Sequence, residues 1–186
     1  MLALQGDVDE HVRVLLSLGA QPLPVKTRAE LDAVAALIVP GGESTTVIRL
    51  LDRFEMAEPV RERVRGGMPF WGTCMGMIVA AHDVAGRDQK TLDVLDVTVR
   101  RNAFGRQIAS AEVPLAIPAL GGDPFPGVFI RAPWVERAGP GVEVLAMLDE
   151  HPVFVRQGSV LGTSFHPELT NDVRLHAYFL RMIGSP

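Results

Sequence analysis

The sequence predicts a three-layer α/β fold on a mixed sheet, with a parallel core and antiparallel additions. Three observations carry this expectation. In the first half, short apolar runs alternate with amphipathic segments, as parallel strands alternate with crossover helices. Several of those runs end in glycine-rich turns that lead into the next helix. After Gly86 the texture changes to alternating apolar and polar residues, the mark of antiparallel strands with one wet face.

Leu2–Leu4 reads as a first strand, closed by Gln5-Gly6. Buried parallel strands are normally longer, so either this strand is short or the chain begins further upstream. Val8–Leu18 has helical spacing, with Gly19 placed to cap its end. Pro22–Val25 is a second strand candidate and Ala35–Val39 a third, an unbroken apolar run suited to burial on both faces. Pro40-Gly41-Gly42-Glu43-Ser44-Thr45-Thr46 then turns into a helix visible over Val47–Leu51. Ser44 is expected to cap that helix, with Glu43 near the positive end of its dipole. A helix over roughly Ala57–Arg65 leads through Gly66-Gly67 to a strand at Met68–Trp71, and Met77–Ala81 continues as a buried helix.

Leu92–Val99, Ile108–Leu115 and Val142–Leu148 read as antiparallel strands added to one side of the parallel sheet. Val153–Val155 and Val160–Ser164 form a hairpin around Gln157-Gly158, and Asp172–Ile183 a closing helix. Without repeats, low-complexity tracts or linkers, residues 1–186 read as one domain.

Bulk properties exclude several classes of function. A net charge of −4 without a Lys/Arg cluster gives no basis for binding nucleic acid. No apolar stretch is long enough to cross a bilayer, and the N-terminus lacks the layout of a signal peptide, so no membrane partner is expected. A single cysteine rules out an internal disulfide framework and favours a reducing, cytoplasmic setting.

That cysteine, Cys74, lies in Phe70-Trp71-Gly72-Thr73-Cys74-Met75-Gly76-Met77. A strand, a tight turn with a thiol between glycines, and then a helix make a nucleophile elbow. The helix N-terminus favours a thiolate, which can attack a carbonyl carbon and form a thioester. An inert core cysteine is the ordinary alternative for a lone thiol. Ser164-Phe165-His166-Pro167-Glu168 supplies a base and an orienting carboxylate. Pro167 pushes His166 toward an extended backbone, where residues two apart share a side, so Glu168 is expected to reach the imidazole. Cys74, His166 and Glu168 thus read as a catalytic triad. The same three groups make a poor metal site, and neither metal nor cofactor is expected.

In an open α/β sheet, ligands sit outside the carboxyl ends of the strands, where Gln5-Gly6, the Gly42 turn and Cys74 converge. Gln5, Gly6, Gly42 and Met75 are candidate backbone donors to an oxyanion. The Gly41-Gly42 turn lacks the Lys-Ser/Thr pair of a P-loop, which argues against nucleotide binding. Arg101 lies in a polar connecting segment and Arg131 ends an apolar strand, and a cleft arginine can hold a carboxylate in bidentate fashion. His11, His82, His151 and His176 receive no role.

The Gly-x-Cys-x-Gly and His-Pro-Glu motifs resemble those of triad-type, class I glutamine amidotransferases. The likeness is closest to the glutaminase subunits of pyridoxal 5'-phosphate synthases. It is carried by Leu4-Gln5-Gly6, Pro40 to Thr46, Gly72-Thr73-Cys74 and Arg101-Asn102-Ala103-Phe104-Gly105-Arg106-Gln107. Phe129-Ile130-Arg131-Ala132-Pro133 and Ser164 to Thr170 complete it. The resemblance implies a flavodoxin-like sheet and hydrolysis of L-glutamine to L-glutamate and ammonia. It also implies a hetero-oligomer with a synthase subunit that consumes the ammonia. Glutamine contacts carried over by resemblance fall on Gly42, Glu43, Ser44, Arg101, Ile130 and Arg131. Met75 stands where a small residue is usual and is expected to narrow the cleft. Trp134 replaces the usual His or Tyr on the rim expected to meet the synthase. Two alternatives stay open: the ammonia donor of another pathway, such as histidine biosynthesis, and a non-catalytic binding or thiol-stress module.

Overall fold

Strand β1 (Leu37–Val39), β2 (Phe70–Thr73) and β10 (Val160–Thr163) form the parallel centre of the main sheet. The structure is a computed structural model describing residues 1–103 and 110–184. The Phe104-Gly105-Arg106-Gln107 portion of the polar motif lies outside the described residues, as do Ile108 and Ala109 of an expected strand. Antiparallel β9 (His151–Gln157) and β8 (Glu143–Leu148) extend the sheet beyond β10.

The central strands bury both faces, as their unbroken apolar sequence requires. Leu37, Val39 and Phe70 point into one core with α3 (Ser44–Arg53), α4 (Ala57–Arg65) and α5 (Met75–Ala80). Ile38, Trp71 and Leu161 point into the other, with Leu15 of α1 (Val8–Ser17) and Leu175 and Phe179 of α6 (Arg174–Met182). The result is the predicted three-layer α/β fold with a mixed sheet.

Several expected elements change form. Leu2–Leu4 and Pro22–Val25 are not strands but meet in a single parallel bridge, Leu2 to Val25. Pro22 and Pro24 have no N–H to give a ladder, and the chain turns away at Gln5-Gly6. These segments still line the β1 edge, with Leu2 N–H donating to Ile38 at 2.9 Å. A short helix, α2 (Arg28–Asp32), was not foreseen; Thr27 and Glu30 form a capping box at its start.

The antiparallel additions do not all join the main sheet. β3 (Ala81–Val84) follows α5 directly and pairs in parallel with β4 (Leu95–Arg100). β4 in turn pairs antiparallel with β7 (Trp134–Ala138). β5 (Ser110–Leu115) and β6 (Phe125–Ile130) form a separate two-stranded ladder. β4 pairs with β3 and β7, and β5 with β6, so these strands satisfy their backbones outside the main sheet.

Candidate active site

The β2–α5 turn is closed too tightly for side chains. A Cβ on Gly72 would lie 2.3 Å from the Gly76 oxygen, and one on Gly76 would lie 2.0 Å from the Val39 oxygen. Between them Cys74 has φ 48° and ψ −105°, a conformation that costs a non-glycine residue energy. Its N–H donates to Thr163 of β10 at 2.7 Å, and Sγ lies 3.9 Å from the Ile130 carbonyl oxygen. The elbow read from the sequence is therefore present.

His166 follows β10 with φ −104° and ψ 88°, and its N–H donates to the Val128 carbonyl at 2.8 Å. Glu168 is not in an extended segment, as expected, but in a 3-10 turn over Pro167–Leu169. Proline at the first position suits such a turn, which folds the carboxylate back under the ring. His166 Nδ1 and Glu168 Oε1 are 2.7 Å apart, and both residues are buried. Burial alone lowers the pKa of His166, but hydrogen bonds to Cys74 and Glu168 outweigh it and raise it to about 10. Burial raises the pKa of Glu168, partly offset by His166.

The Gly42 turn forms another part of the cleft wall. Gly6 packs so closely that a Cβ there would lie 1.9 Å from the Gly41 oxygen, and its φ of +118° favours glycine. Gln5 Oε1 accepts from the Glu43 N–H at 2.8 Å. The cap of α3 is Glu43 rather than Ser44: its carboxylate accepts from the Thr45 and Thr46 N–H groups. Burial opposes ionisation of Glu43, but hydrogen bonds from Thr46, Thr45 and Arg101 hold its pKa down at about 2. Arg101 also donates to Gln89 Oε1 at 2.9 Å, and the Gln89 amide donates to Ser44 Oγ at 3.0 Å.

These walls enclose a cleft of about 460 Å³. Cys74 and His166 line it with Gln5, Gly42, Glu43 and Ser44, as do Met75, Arg101, Ile130 and Arg131. Glu168 and Gly6 are not part of the lining. Met75 is buried against the core and borders the cleft. Trp134 stacks on His151 at 3.6 Å between ring centroids. Among the described residues, one group of carboxylates and imidazoles could share a cation: Asp7, His166 and Glu168, with ligand atoms within 4.8 Å. Its shortest contact is the His166–Glu168 hydrogen bond, which commits two of those ligands to each other.

The description "SNO glutamine amidotransferase family" matches residues 1–185. The chain belongs to that family. SNO-family relatives include the "Pyridoxal 5'-phosphate synthase subunit PdxT" of Salinispora tropica, 54% identical over 100% of this chain and 96% of that protein. The protein of the same name from Moorella thermoacetica is 50% identical, covering 99% of this chain and 98% of its own length. A solved structure described as "Crystal structure of glutamine amidotransferase" superposes with a TM-score of 0.94 at 50% identity, covering 99% of this chain and 97% of that one. The fold is also shared with the PurLQS structure from Thermotoga maritima, at a TM-score of 0.68 and 18% identity over 97% of this chain and 95% of that one.

Sequence reasoning missed two groups of this SNO-family site. Gln89, in a polar loop with no motif, joins Ser44 to Arg101. His11 and His176, on the apolar faces of α1 and α6, form a fully buried pair at 2.9 Å. Spacing could have found them, since His11 is one turn from buried Leu15 and His176 lies beside buried Leu175. Burial lowers the pKa of His176 to about 4 and that of His11 well below the usual range, helped there by charge on His176 and His166. As pH falls below the ordinary histidine value, the unfolded chain binds protons that the folded chain refuses, so stability drops. His176 alone accounts for roughly 3 kcal/mol of this loss once pH approaches its folded pKa. Thermal denaturation is expected to show Tm falling from neutral pH toward pH 4. The fall should be shallower in His176→Phe; an equal slope would assign the acid sensitivity to other groups.

Proposed function

We propose that this chain is the glutaminase subunit of a pyridoxal 5'-phosphate synthase, acting as one domain over residues 1–186. The carrying observation is the strained Cys74 beside the hydrogen-bonded His166–Glu168 pair, at a cleft in a chain of this family. Its similarity to proteins named as subunits of that synthase supports the pathway.

In this reading the Cys74 sulfur attacks the side-chain carboxamide carbon of L-glutamine, with its proton carried by His166. The raised pKa of His166 supports a ring that holds a proton through neutral pH and can deliver it to the departing amine. Ammonia leaves, a thioester remains, and water attacks it with His166 now acting as base to release L-glutamate. Glu168 holds the imidazole by Nδ1 throughout.

Gly42, Glu43, Ser44, Arg101, Ile130 and Arg131 bind the glutamine. Glu43 and Arg101 already pair at 3.2 Å and present a largely neutral wall. No ion pair engages Arg131 among the described residues, leaving its guanidinium for the substrate carboxylate. Gln5, Gly6, Gly42 and Met75 are the oxyanion donors. Met75 begins α5, where helix geometry leaves N–H groups without intrahelical acceptors. The Gln5 side chain meanwhile occupies the Glu43 N–H, so docking of the synthase subunit is proposed to reorder Gln5-Gly6 and complete the hole.

The ammonia passes to that subunit within a hetero-oligomer, before water can protonate it. A cytoplasmic location suits a nucleophilic thiol that must stay reduced. The test is glutamate release from glutamine by the purified chain, alone and with a pyridoxal 5'-phosphate synthase subunit. Stimulation of at least about tenfold is expected, a transition-state gain exceeding roughly 1.4 kcal/mol. Activity indifferent to that subunit would overturn the assigned partner.

A further inference from the structure

His11 lies directly behind Glu168, and no step of the reaction above uses it. Its Nε2 is 3.2 Å from Glu168 Oε2, and both side chains are fully buried. Its Nδ1 is 2.9 Å from Nε2 of His176. We propose that His11 is a positioning residue for glutamine hydrolysis, its Nε2–H holding the second oxygen of Glu168 while His176 fixes the required tautomer. This rests on the glutaminase reading.

The hydrogen-bond inventory leads there. Glu168 Oε1 is taken by His166 Nδ1 at 2.7 Å. Oε2 makes no well-aligned hydrogen bond among the described residues, with His11 Nε2 3.2 Å away, and a buried carboxylate oxygen left bare is costly. A neutral imidazole carries one proton, so His11 must place it on one nitrogen. With the proton on Nδ1, the Nε2 lone pair would face the carboxylate, which is repulsive. With the proton on Nε2, His11 can share it between Oε2 and Thr73 Oγ1, each 3.2 Å away, and Nδ1 accepts from His176. His176 then carries its proton on Nε2, and its Nδ1 is an acceptor with no partner, as found. The opposite order would strand a buried N–H at that atom.

His11 must also stay neutral, because an imidazolium there would draw on the charge that Glu168 offers His166. The groups bearing on it are His176 from α6, Glu168 and His166 from the Pro167 turn and its approach, and the amino terminus at Met1. Asp7 approaches the other side of the dyad, 3.7 Å from His166 Nδ1. Burial, His176, His166 and the amino terminus all favour the neutral ring. Thr73 Oγ1, 3.2 Å from Nε2, and the edge-on Trp71 ring keep the imidazole in plane. Held at both oxygens, Glu168 cannot rotate its carboxylate away from His166, so the base stays aimed at Cys74.

The test measures kcat, KM and the pH profile of glutamine hydrolysis by the chain assembled with a synthase subunit. His11→Leu is expected to lower kcat about ten- to a hundredfold, with KM within about twofold of wild type. Its acid limb should move to higher pH, because a carboxylate already raised by burial loses its second donor. His11→Gln, whose amide N–H can occupy the place of Nε2–H, should restore most of kcat and the wild-type acid limb. A folded, assembled His11→Leu with wild-type kcat and acid limb overturns the proposal. If that variant fails to fold, nitrogen-15 spectra of the histidine-labelled wild-type chain decide. A neutral His11 with its proton on Nε2 supports the assignment; a proton on Nδ1, or a charged ring at neutral pH, overturns it. These spectra need no turnover, so failure of the glutaminase reading remains distinguishable as absent glutamate release by the wild-type assembly.

Discussion

Cys74→Gly is expected to abolish glutamate release by the assembled complex while leaving the chain more stable than Cys74→Ala. Both substitutions remove the nucleophile, and loss of a covalent catalyst should cost at least about a thousandfold in kcat. They differ only in a Cβ held at φ 48° and ψ −105°. Residues other than glycine pay about 1–3 kcal/mol in such regions. Glycine avoids that strain but gives back roughly 0.4–1 kcal/mol through the greater freedom of its unfolded chain. The net advantage is therefore about 1 kcal/mol, or some 2–4 °C in Tm for a chain of this size. Glutamate release and thermal denaturation of the two variants check both halves. Surviving turnover would remove Cys74 from the mechanism, and equal Tm values would mean the elbow relaxes without cost.

Much of the fold was legible because burial on both faces leaves a plain mark on composition. Ala35–Val39 and Met68–Trp71 announced β1 and β2 as unbroken apolar runs, and Val160–Ser164 announced β10. Strand partners were less legible. Alternation tells which face of a strand is wet, but not which neighbour supplies its hydrogen bonds. Hence β4 was recognised as a strand yet assigned to the wrong sheet. β3 went unread because only Ala81 and Val84 of its four residues are buried, too few to show a period.

Legibility at the site divides in the same way. Cys74 and His166 sit in short motifs whose glycines and proline have local geometric reasons, so neighbouring residues reveal them. His11 reaches Glu168 across 157 positions of chain, by the packing of α1 on the Pro167 turn, and no local pattern encodes that approach. The exchange of capping roles between Glu43 and Ser44 has a local cause. Glutamate is long enough to span two N–H groups of the first turn, whereas Ser44 turns inward to Gln89.

Gly76→Ala is expected to be strongly destabilising, costing at least about 3 kcal/mol against a typical total of 5–15. The added Cβ would lie 2.0 Å from the Val39 oxygen and 2.9 Å from its carbonyl carbon. Neither atom belongs to a side chain that can swing away. Val39 is fully buried and pairs with Gly72 in the parallel ladder, so β1 can recede only by breaking its pairing with β2. Moving α5 outward instead would lift Met77 and Val79 from the core. Gly141→Ala is the control: its Cβ meets only Gln157 Nε2, at an ordinary 3.5 Å, and should change stability by less than about 0.5 kcal/mol. Thermal or urea denaturation distinguishes the two, and a Gly76→Ala chain as stable as the control would refute the close contact of α5 with β1. That contact matters to chemistry because Val39 runs straight into Pro40-Gly41-Gly42. The helix that seats Cys74 therefore rests on the strand that leads into the Gly42 part of the cleft wall, and what fixes one fixes the other.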